Sequence, residues 1–478
     1  MERYRIALLL AILALGFLLR LYRFDNPIAD WHSWRQADTS SVSREFLKQG
    51  FDILHPKFHD LSTLSGIAKE NPLGLRFVEF PIYNLFQAGL FKVFGTITLE
   101  QWGRLITIFS SLASAVFIFL IVRKYAGQRA GFFAGIFYTL LPYNIYYGRV
   151  ILPDPMTVMA YLGGIYFFDK WLDVEGTKAY FWFFISVILV SVSLLLKPFA
   201  AFFLLPIAYL AWIKFGKGIW KNWKLWLFAI VCVTPFMLWR AWMGQYPEGI
   251  PNNSWLFNDG NIRFKGAYFY HLFADKISRL ILGYFGVALV TTGLLRKIDK
   301  NTGFLLSFAV SSLAFLIVIA KGNVNHDYYQ ILIVPSLVIL MSLGVDFLIE
   351  QSGKLFPKIT GYGIILVCSL FSFMFGWYFV RDYFNINNPV IVEAGKTADR
   401  ILPKDAKVIA PYGGDTAFLY QTNRLGWPLI NVPTSDLSNK GATHLIYVNP
   451  SLGDLELAKG YKIIYQATDY VIYQIKSP

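Results

Sequence analysis

The sequence predicts a polytopic α-helical membrane protein of about eleven transmembrane helices, with a small α/β domain at its C-terminal end. The first reason is composition: of 478 residues, 55% are hydrophobic and only 15% are charged. The second is that the apolar residues form repeated runs of about 17–22, the length that a helix needs to cross a hydrocarbon core of about 30 Å. The third is a change of character after about residue 385, where short strand-like segments replace the long runs.

The formal net charge is +14. The Lys and Arg residues lie at the ends of the apolar runs, where the positive-inside rule and anionic lipid headgroups account for them. Membrane lipids, and no nucleic acid, are therefore the expected partners. Cys232 and Cys368 both fall inside apolar runs, which excludes a disulfide framework and a CxxC metal site.

The first apolar run, residues 6–19, is expected to be a retained helix. Leu-Tyr-Arg-Phe-Asp follows it where a signal peptide would need a small-residue cleavage site. Arg3 and Arg5 precede it, which predicts a cytoplasmic N-terminus. Residues 23–101 then form a long external loop. Within that loop, residues 81–95 are apolar but too short to cross, and they predict a helix lying in the membrane interface.

Ten more spans are expected, alternately inward and outward, at roughly 103–122, 130–147, 155–172, 180–196, 198–213, 225–243, 279–295, 303–320, 328–349 and 361–380. In this topology four of the five cytoplasmic turns are basic, as the positive-inside rule requires. If residues 81–95 crossed the membrane, the same basic turns would face outward. The polar loops, including 244–278, and the C-terminus are then external. A bacterial inner (plasma) membrane with a periplasmic active site is the expected location.

Residues 385–478 predict a small external α/β domain, and residues 1–384 a transmembrane catalytic domain. Residues 389–402 read as a helix, and short β-branched and aromatic strands are expected at 407–410, 444–448, 462–465 and 470–475. No phosphate-binding glycine motif or Ser/His/Asp arrangement occurs there. A structural or substrate-capping role is therefore expected for this domain.

The polar cluster that follows the first span contains the candidate general bases, Asp30 and Asp38, together with His32, Arg35 and Gln36. A carboxylate partly desolvated at a membrane face can have its pKa raised toward accepting a proton from a hydroxyl group. The alternative is that Asp30 caps a helix and Asp38 is solvated. The cluster as a whole favours a site.

Three isolated charges are further candidates. Glu79 either caps the interfacial helix or binds the acceptor or a cation. Asp154, between Pro153 and Pro155, either caps a helix or belongs to a site. Lys197 lies between two apolar runs, where a cation is costly, and it either snorkels or binds the phosphate of a lipid.

The turn 321–330 is a second polar cluster, whose hydrogen-bonding groups suit a sugar or a phosphate: His326, Asp327, Tyr328, Tyr329 and Gln330. Asp327 alone could be a helix cap. No His/Cys/Asp set has metal-ligand periodicity, so no metal site is predicted. The aromatic residues of loop 244–278 suit either a carbohydrate or the membrane interface.

These residues together resemble the GT-C glycosyltransferase superfamily, in particular the bacterial relatives of protein O-mannosyltransferases and of the lipid A aminoarabinose transferase. The resemblance covers roughly residues 5–380. It is carried by the acidic residue after the first span and by Arg44-Glu-Phe-Leu, Glu79-Phe-Pro-Ile-Tyr, Gly148-Arg149 to Asp154-Pro155, Lys197-Pro198 and His326-Asp-Tyr-Tyr-Gln330. Each motif is weak alone, whereas their order and common face make the match fairly specific.

The resemblance implies a polyprenyl-phosphate sugar donor, a lipid, glycan or protein acceptor, and inversion at the anomeric carbon. The family's catalytic base is the acidic residue after the first span. Counting from the end of that span gives Asp30, whereas counting back from Arg44 falls between Asp30 and Asp38; Asp30 is preferred.

By the same resemblance Lys197 holds the donor phosphate, with Arg149 or Arg35 as helpers. His32, Glu79, Asp154 and the turn 326–330 remain for the acceptor and the sugar. No cofactor is expected, with a divalent cation left open.

Three alternatives stay open at this point. A secondary transporter or flippase would show internal repeats and midplane charges, and no repeat is visible here. A non-catalytic assembly or receptor protein would have no need of a lysine between two apolar runs, where its charge is costly. A metal-dependent, oligosaccharyltransferase-like enzyme would need acidic ligands, for which Asp154 and Glu79 are the obvious candidates.

Overall fold

A computed structural model describes residues 2–64 and 70–475. Residues 65–69 of the predicted external loop, residues 476–478 of the predicted C-terminal domain and the side chain of Arg3 lie outside the described residues. The described chain forms two compact units. The helical unit contains the chain up to Tyr22, Leu105–Arg240 and Asn253–Asp382. The α/β unit contains Arg23–Arg104, Ala241–Asn252 and the chain from Tyr383 onward.

In chain order the α-helices of the described residues are α1 (Glu2–Arg20), α2 (Ser33–Gln49), α3 (Ile82–Phe94), α4 (Leu99–Ala126), α5 (Gln128–Leu140), α6 (Pro142–Tyr147), α7 (Asp154–Asp173), α8 (Thr177–Leu196), α9 (Leu205–Phe215), α10 (Trp223–Met243), α11 (Trp255–Asn258), α12 (Gly266–Phe269), α13 (Gly286–Gly293), α14 (Lys300–Val318), α15 (Ala320–Asn325), α16 (Val334–Gln351), α17 (Lys358–Val380), α18 (Pro389–Ile401), α19 (Ala417–Thr422), α20 (Thr434–Asn439) and α21 (Leu452–Leu457). Between them lie a π-helix at Tyr270–Ile281 and 3-10 helices at Pro198–Leu204, Gly216–Lys221, Pro247–Gly249, Asp259–Phe264, Asp327–Ile333 and Arg381–Phe384.

Seven helical stretches of the described chain are long and apolar enough to cross a membrane: Leu99–Ala126, Thr177–Leu196, Pro198–Lys221, Trp223–Met243, Lys300–Val318, Asp327–Gln351 and Lys358–Ile401. Each corresponds to one of the predicted spans, although Lys300–Val318 ends two residues before the predicted end of the span 303–320. The predicted span 6–19 lies in α1 and the span 155–172 lies in α7. The chain is therefore an integral membrane protein.

The other two predicted spans, 130–147 and 279–295, are interrupted helices. The first breaks before Pro142, which has no N–H to continue the hydrogen-bond ladder of α5. The second breaks at Gly283 and Tyr284, whose φ angles are 52° and 60°. Gly283 is needed there because a Cβ would overlap the carbonyl oxygen of Ser372 on α17.

One sheet lies in the α/β unit, with strand order β2-β1-β3-β5-β4 among the described residues. Its strands are β1 (Val408–Ile409), β2 (Gly426–Trp427), β3 (His444–Val448), β4 (Lys462–Gln466) and β5 (Tyr470–Gln474). β1 is parallel to β2 and β3, whereas β5 is antiparallel to β3 and β4. The four predicted strands are confirmed, and β2 is an addition.

The sheet is extended by the segment 59–61, which comes from the long loop after the first span. Gly426 N–H donates to the His59 carbonyl at 2.9 Å, and Leu61 N–H donates to the Gly426 carbonyl at 2.8 Å. Leu61 also joins the apolar core on one face of the sheet, beside Ile409 and Trp427. The loop and the C-terminal segment therefore share one hydrophobic core.

α2 is a polar helix that is nevertheless largely buried. Its hydroxyl and carbonyl groups find partners on α3: Gln87 Nε2 donates to Ser40 Oγ at 3.0 Å, and Ser43 Oγ donates to Gln87 Oε1 at 2.7 Å. Buried polar groups are tolerated when they are paired in this way. These hydrogen bonds hold α2 against α3, and α2 in turn positions the polar residues of its first turns.

Candidate functional site

The chain enters α2 through a left-handed residue. His32 has φ 54° and ψ 35°, a conformation that costs a non-glycine residue on the order of 1 kcal/mol. The residues before it are held by Asn387, whose N–H donates to the Ala29 carbonyl at 2.7 Å and whose Nδ2 donates to the Asp30 carbonyl at 3.0 Å. The surrounding structure therefore stabilises a strained turn directly beside Asp30.

Asp30 is fully buried. Gln36 Nε2, on the first turns of α2, donates to Asp30 Oδ1 at 2.6 Å and also lies 3.2 Å from the Trp31 carbonyl oxygen. The residue that precedes α2 is His32, so Asp30 does not cap that helix. The structure thus presents Asp30 as a buried carboxylate held by an amide donor.

Asp38 is also buried, so the alternative that it is solvated is wrong. Arg76 Nη2 lies 2.7 Å from Asp38 Oδ2, and Thr416 Oγ1 donates to Asp38 Oδ1 at 2.7 Å. Both carboxylate oxygens therefore have partners, one of them a cation. A base must accept a proton on a free oxygen lone pair, so this environment suits a structural ion pair better than a catalytic base.

Arg35 and Glu79 form a two-bond ion pair. Arg35 Nη2 donates to both Glu79 carboxylate oxygens at 2.8 and 2.9 Å, and Arg35 Nη1 lies 3.2 Å from Thr39 Oγ1. Glu79 does not cap α3, the helix predicted to lie in the interface, because Pro81 is the residue that precedes it. The pair is nearly buried, which makes it a connection between α2 and the start of α3.

Two further carboxylates lie near Asp38, and no sequence pattern indicated either of them. Burial raises the pKa of Asp415 to about 6, and the nearby Asp38 adds to the rise. Burial likewise raises the pKa of Asp60 to about 6, again with a contribution from Asp38. Sequence analysis also missed Arg76 and Thr416, the partners of Asp38. All four residues come close to Asp38 only through tertiary structure.

In the helical unit, Lys197 lies between α8 and the 3-10 helix Pro198–Leu204. Its Nζ pairs with Asp154 Oδ1. The same Nζ lies 4.7 Å from the ring centre of Tyr329, 5.3 Å from that of Tyr328 and 5.9 Å from that of Phe199. Lys197 is therefore enclosed by aromatic rings and a carboxylate, which rules out simple snorkelling to solvent.

Asp154 is fully buried at the first residue of α7. Its Oδ2 has no hydrogen-bond partner among the described residues. A buried carboxylate oxygen without a donor is costly, and such atoms require an explanation beyond packing. One of the two Asp154 carboxylate oxygens thus lacks a donor within the described chain.

The turn 326–330 is built into the same unit. Tyr147 Oη donates to Asp327 Oδ1 at 2.6 Å, and Tyr143 Oη donates to the Asp327 carbonyl oxygen at 2.6 Å. Gln330 Nε2 donates to the side chain of Asn323 at 2.9 Å, while Gln330 Oε1 has no partner in the described chain. Tyr143 and Tyr147 were missed, although their spacing of four residues on one helix face was visible.

The remaining predicted residues of this unit are His326, which lies among aromatic rings, and Arg149, which is buried against the backbone. The ring of His326 lies 5.6 Å from that of Trp255 and 5.3 Å from that of Tyr328. Arg149 is fully buried, and its Nη1 donates to the Tyr22 carbonyl oxygen at 2.7 Å. The helical unit therefore brings together Asp154, Lys197, Tyr328 and Tyr329, with His326 beside them.

No group of three or more His, Cys, Asp or Glu side chains within residues 2–64 and 70–475 is arranged to hold a metal ion. The cofactor expectation stays a prediction.

Comparison with known proteins identifies a matching family over part of the chain and similar folds over nearly all of it. The family described as dolichyl-phosphate-mannose-protein mannosyltransferase matches residues 78–242. ArnT from Cupriavidus metallidurans, solved with undecaprenyl phosphate, has a TM-score of 0.69 at 13% identity and covers 97% of both chains.

The Archaeoglobus fulgidus oligosaccharyltransferase, solved with zinc and sulfate, has a TM-score of 0.59 at 12% identity over 97% of this chain and 72% of that one. None of the curated proteins compared with the chain matches it significantly. The predicted resemblance to the GT-C superfamily and the predicted fold class are both confirmed.

Proposed function

We propose that the protein is an inverting membrane glycosyltransferase that moves a sugar from a polyprenyl-phosphate donor to an acceptor hydroxyl group. The reaction takes place on the external (periplasmic) face of a bacterial inner membrane. The observation that carries the proposal is the similarity, over 97% of both chains, to a fold that holds undecaprenyl phosphate in ArnT. The match of residues 78–242 to a family of dolichyl-phosphate-mannose transferases supports the same donor class.

Asp30 is the proposed general base. It takes the proton of the acceptor hydroxyl as that oxygen attacks the anomeric carbon from the side opposite the phosphate. Its carboxylate is buried and is held by Gln36 Nε2, so it is oriented to accept a proton from a hydroxyl group that reaches it. Asp38 is the less suitable candidate, since Arg76 and Thr416 already occupy its oxygens.

Lys197 is the proposed phosphate ligand. When the anomeric C–O bond breaks, its electrons stay on the lipid phosphate, which leaves as an anion whose added charge a cation must meet. Lys197 already lies in an aromatic enclosure beside Asp154, so it is held in place before the donor arrives. Arg149 is the proposed helper in the same unit.

The remaining predicted residues are assigned to the sugar and the acceptor. Tyr328, Tyr329 and His326 offer aromatic faces and hydrogen-bonding edges, which suit a sugar ring. Gln330 Oε1 and Asp154 Oδ2 are buried acceptors without partners in the described chain, and sugar hydroxyl groups are the donors they lack. Glu79 and Arg35 satisfy each other and support α2 instead.

The test is single-turnover transfer in nanodiscs with a panel of polyprenyl-phosphate and polyprenyl-diphosphate sugars, offered with lipid, glycan and peptide acceptors. Asp30→Asn is expected to bind donor and lose transfer by more than a hundredfold. Its control is Asp25→Asn, an exposed residue of the same loop. Transfer by Asp30→Asn at the wild-type rate would remove Asp30 from the mechanism.

Donor binding tests Lys197 separately. The double variant Asp154→Asn with Lys197→Gln removes both charges together, so neither is left buried alone. It is expected to fold and to lose donor affinity, whereas Lys214→Gln, an exposed lysine at the end of α9, should bind donor normally. Absence of transfer from every donor by the wild-type protein would favour a lipid-sugar transporter.

A further inference from the structure

We propose that the turn Asp415–Thr416, which opens α19 near the C-terminal end of the chain, is a positioning element for the transfer reaction. It holds the first turn of α2, and α2 in turn holds the Asp30 carboxylate through Gln36. The inference rests on the proposed function because it takes Asp30 as the base. It gives the C-terminal segment a role in the chemistry beyond structure or substrate capping.

Thr416 makes the direct contact with α2. Its Oγ1 lies 2.7 Å from Asp38 Oδ1 and 3.1 Å from the Trp34 carbonyl oxygen. The two acceptors are four residues apart, so they lie one above the other on the same face of the helix. The single hydroxyl proton can serve either acceptor, so Thr416 restrains both the rotation and the height of the first two turns of α2.

Asp415 adds a second contact beside the first. Its Oδ1 accepts a hydrogen bond from Ala417 N–H at 2.7 Å, which locks its orientation, and its Oδ2 lies 3.4 Å from Ser33 Oγ. Ser33 is the first residue of α2, where the helix dipole favours a negative charge. At 3.4 Å the Ser33 hydrogen bond is weak, so the charge of Asp415 matters more than the bond itself.

Gln36 transmits this position to Asp30. It lies between the Trp34 and Asp38 contacts in the same helical turn, and its Nε2 donates to Asp30 Oδ1 at 2.6 Å. A helix is rigid over one turn, so a shift at Thr416 moves Gln36 with it. The C-terminal segment also holds the other side of the loop, where Gln421 Nε2 donates to the Ile28 carbonyl oxygen at 2.9 Å.

The charge of Asp415 is not there to stabilise the fold. Burial raises the pKa of Asp415 to about 6, and Asp38 on α2 adds to the rise. The Ala417 N–H, Ser33 and His32 act in the opposite direction without reversing it. An asparagine could accept the same Ala417 N–H without burying a charge. A carboxylate retained at a cost in stability fits a role in the site.

The experiment compares Asp415→Asn and Thr416→Val with a matched control, Asp436→Asn. Asp436 lies in the first turn of α20, in the same unit, and is exposed. The full-length chain in nanodiscs is examined for kcat, for KM of the polyprenyl-phosphate sugar, for Tm, and for hydrogen exchange of the backbone amides of residues 34–38. Both test variants are expected to lose about tenfold in kcat with little change in KM.

The two properties that separate positioning from bulk stability are Tm and local exchange. Asp415→Asn is expected to keep or raise Tm at pH 7.5 while the amides of residues 34–38 exchange faster. Asp436→Asn should change neither. If Tm and kcat fall together in Asp415→Asn, or if kcat stays at the wild-type value in both test variants, the inference is overturned.

Failure of the proposed function would show differently. If the wild-type protein transfers no sugar, the exchange measurement still decides whether the turn holds α2. Faster exchange in both test variants would support that hold, and unchanged exchange in either folded variant would overturn it.

Discussion

Lys197 Nζ and Asp154 Oδ1 form an ion pair inside the helical unit, with the Asp154 carboxylate fully buried and its second oxygen without a hydrogen-bond partner in the described chain. An ion pair of this kind contributes little net stability, because the desolvation of both charges offsets their attraction. Under the proposed function, the pair holds the Lys197 cation in a fixed position for the donor phosphate.

The pair makes a prediction about folding. Lys197→Ala leaves a buried carboxylate without its cation and is expected to lower the free energy of unfolding by about 3 kcal/mol. The double variant Asp154→Asn with Lys197→Ala should recover most of that loss, since no charge remains to be desolvated. A double-mutant cycle of thermal unfolding in detergent measures the coupling. A double variant that is no more stable than Lys197→Ala would show that Lys197 and Asp154 do not form an ion pair in the folded protein.

The Arg35–Glu79 ion pair is expected to be structural. Glu79→Gln keeps the shape but removes the charge, and it should lower the free energy of unfolding by about 2 kcal/mol. Donor KM should stay near the wild-type value, because Glu79 would act on α2 and α3 alone. Arg35→Lys should resemble it, since a single lysine nitrogen cannot hold Glu79 and also reach Thr39 Oγ1, as Arg35 Nη1 does. A large rise in donor KM for Arg35→Lys, with Tm unchanged, would instead indicate that Arg35 binds the donor phosphate.

The sequence predicted what depends on local chemistry. Asp30 was selected as a candidate because a dense polar cluster directly follows an apolar span, and Lys197 because a charge within an apolar run is costly. Asp415 could not be found, since its effect arises from burial against α2, nearly four hundred residues earlier in the chain.

The same distinction holds for the fold. The predicted strands of residues 444–448 and 470–475 carry continuous apolar and β-branched residues, and they are confirmed as β3 and β5. β2 has only Gly426 and Trp427, a length at which no alternation pattern exists. The break at Gly283 was missed because it depends on the approach of Ser372, and an isolated glycine in an apolar run does not indicate that contact.

Close contact between α13 and α16 gives a third prediction. A Cβ at Gly293 would overlap the Leu340 carbonyl oxygen, and a Cβ at Gly344 would overlap the Leu289 carbonyl oxygen. Two backbones can approach this closely in a membrane only where small residues lie at the contact. Gly344→Ala should therefore lower Tm by several degrees and reduce the folded yield. Gly363→Ala on α17, where nothing lies within 4 Å, is the control and should be neutral or slightly stabilising. Equal behaviour of the two variants would contradict the packing.

Asp60 gives a prediction about pH with a definite sign. Burial raises the pKa of its carboxyl group from 3.8 to about 6, with Asp38 adding to the rise, while Ser62 N–H donates to Oδ1 at 2.8 Å and opposes it. Between about pH 4 and pH 6 the folded protein therefore holds a proton that the unfolded chain has lost, so this group's contribution to stability falls as pH rises through that window.

Asp60→Asn can still accept the Ser62 N–H and has no charge to bury. Thermal unfolding should show equal Tm for the two proteins near pH 4. At pH 7.5 it should show a higher Tm for Asp60→Asn, corresponding to about 3 kcal/mol in the free energy of unfolding. Asp415 titrates in the same window but is present in both proteins, so the difference between them isolates Asp60. A lower Tm for Asp60→Asn at pH 7.5 would mean that the charged carboxylate stabilises the join between residues 59–61 and β2, contrary to the direction of its pKa.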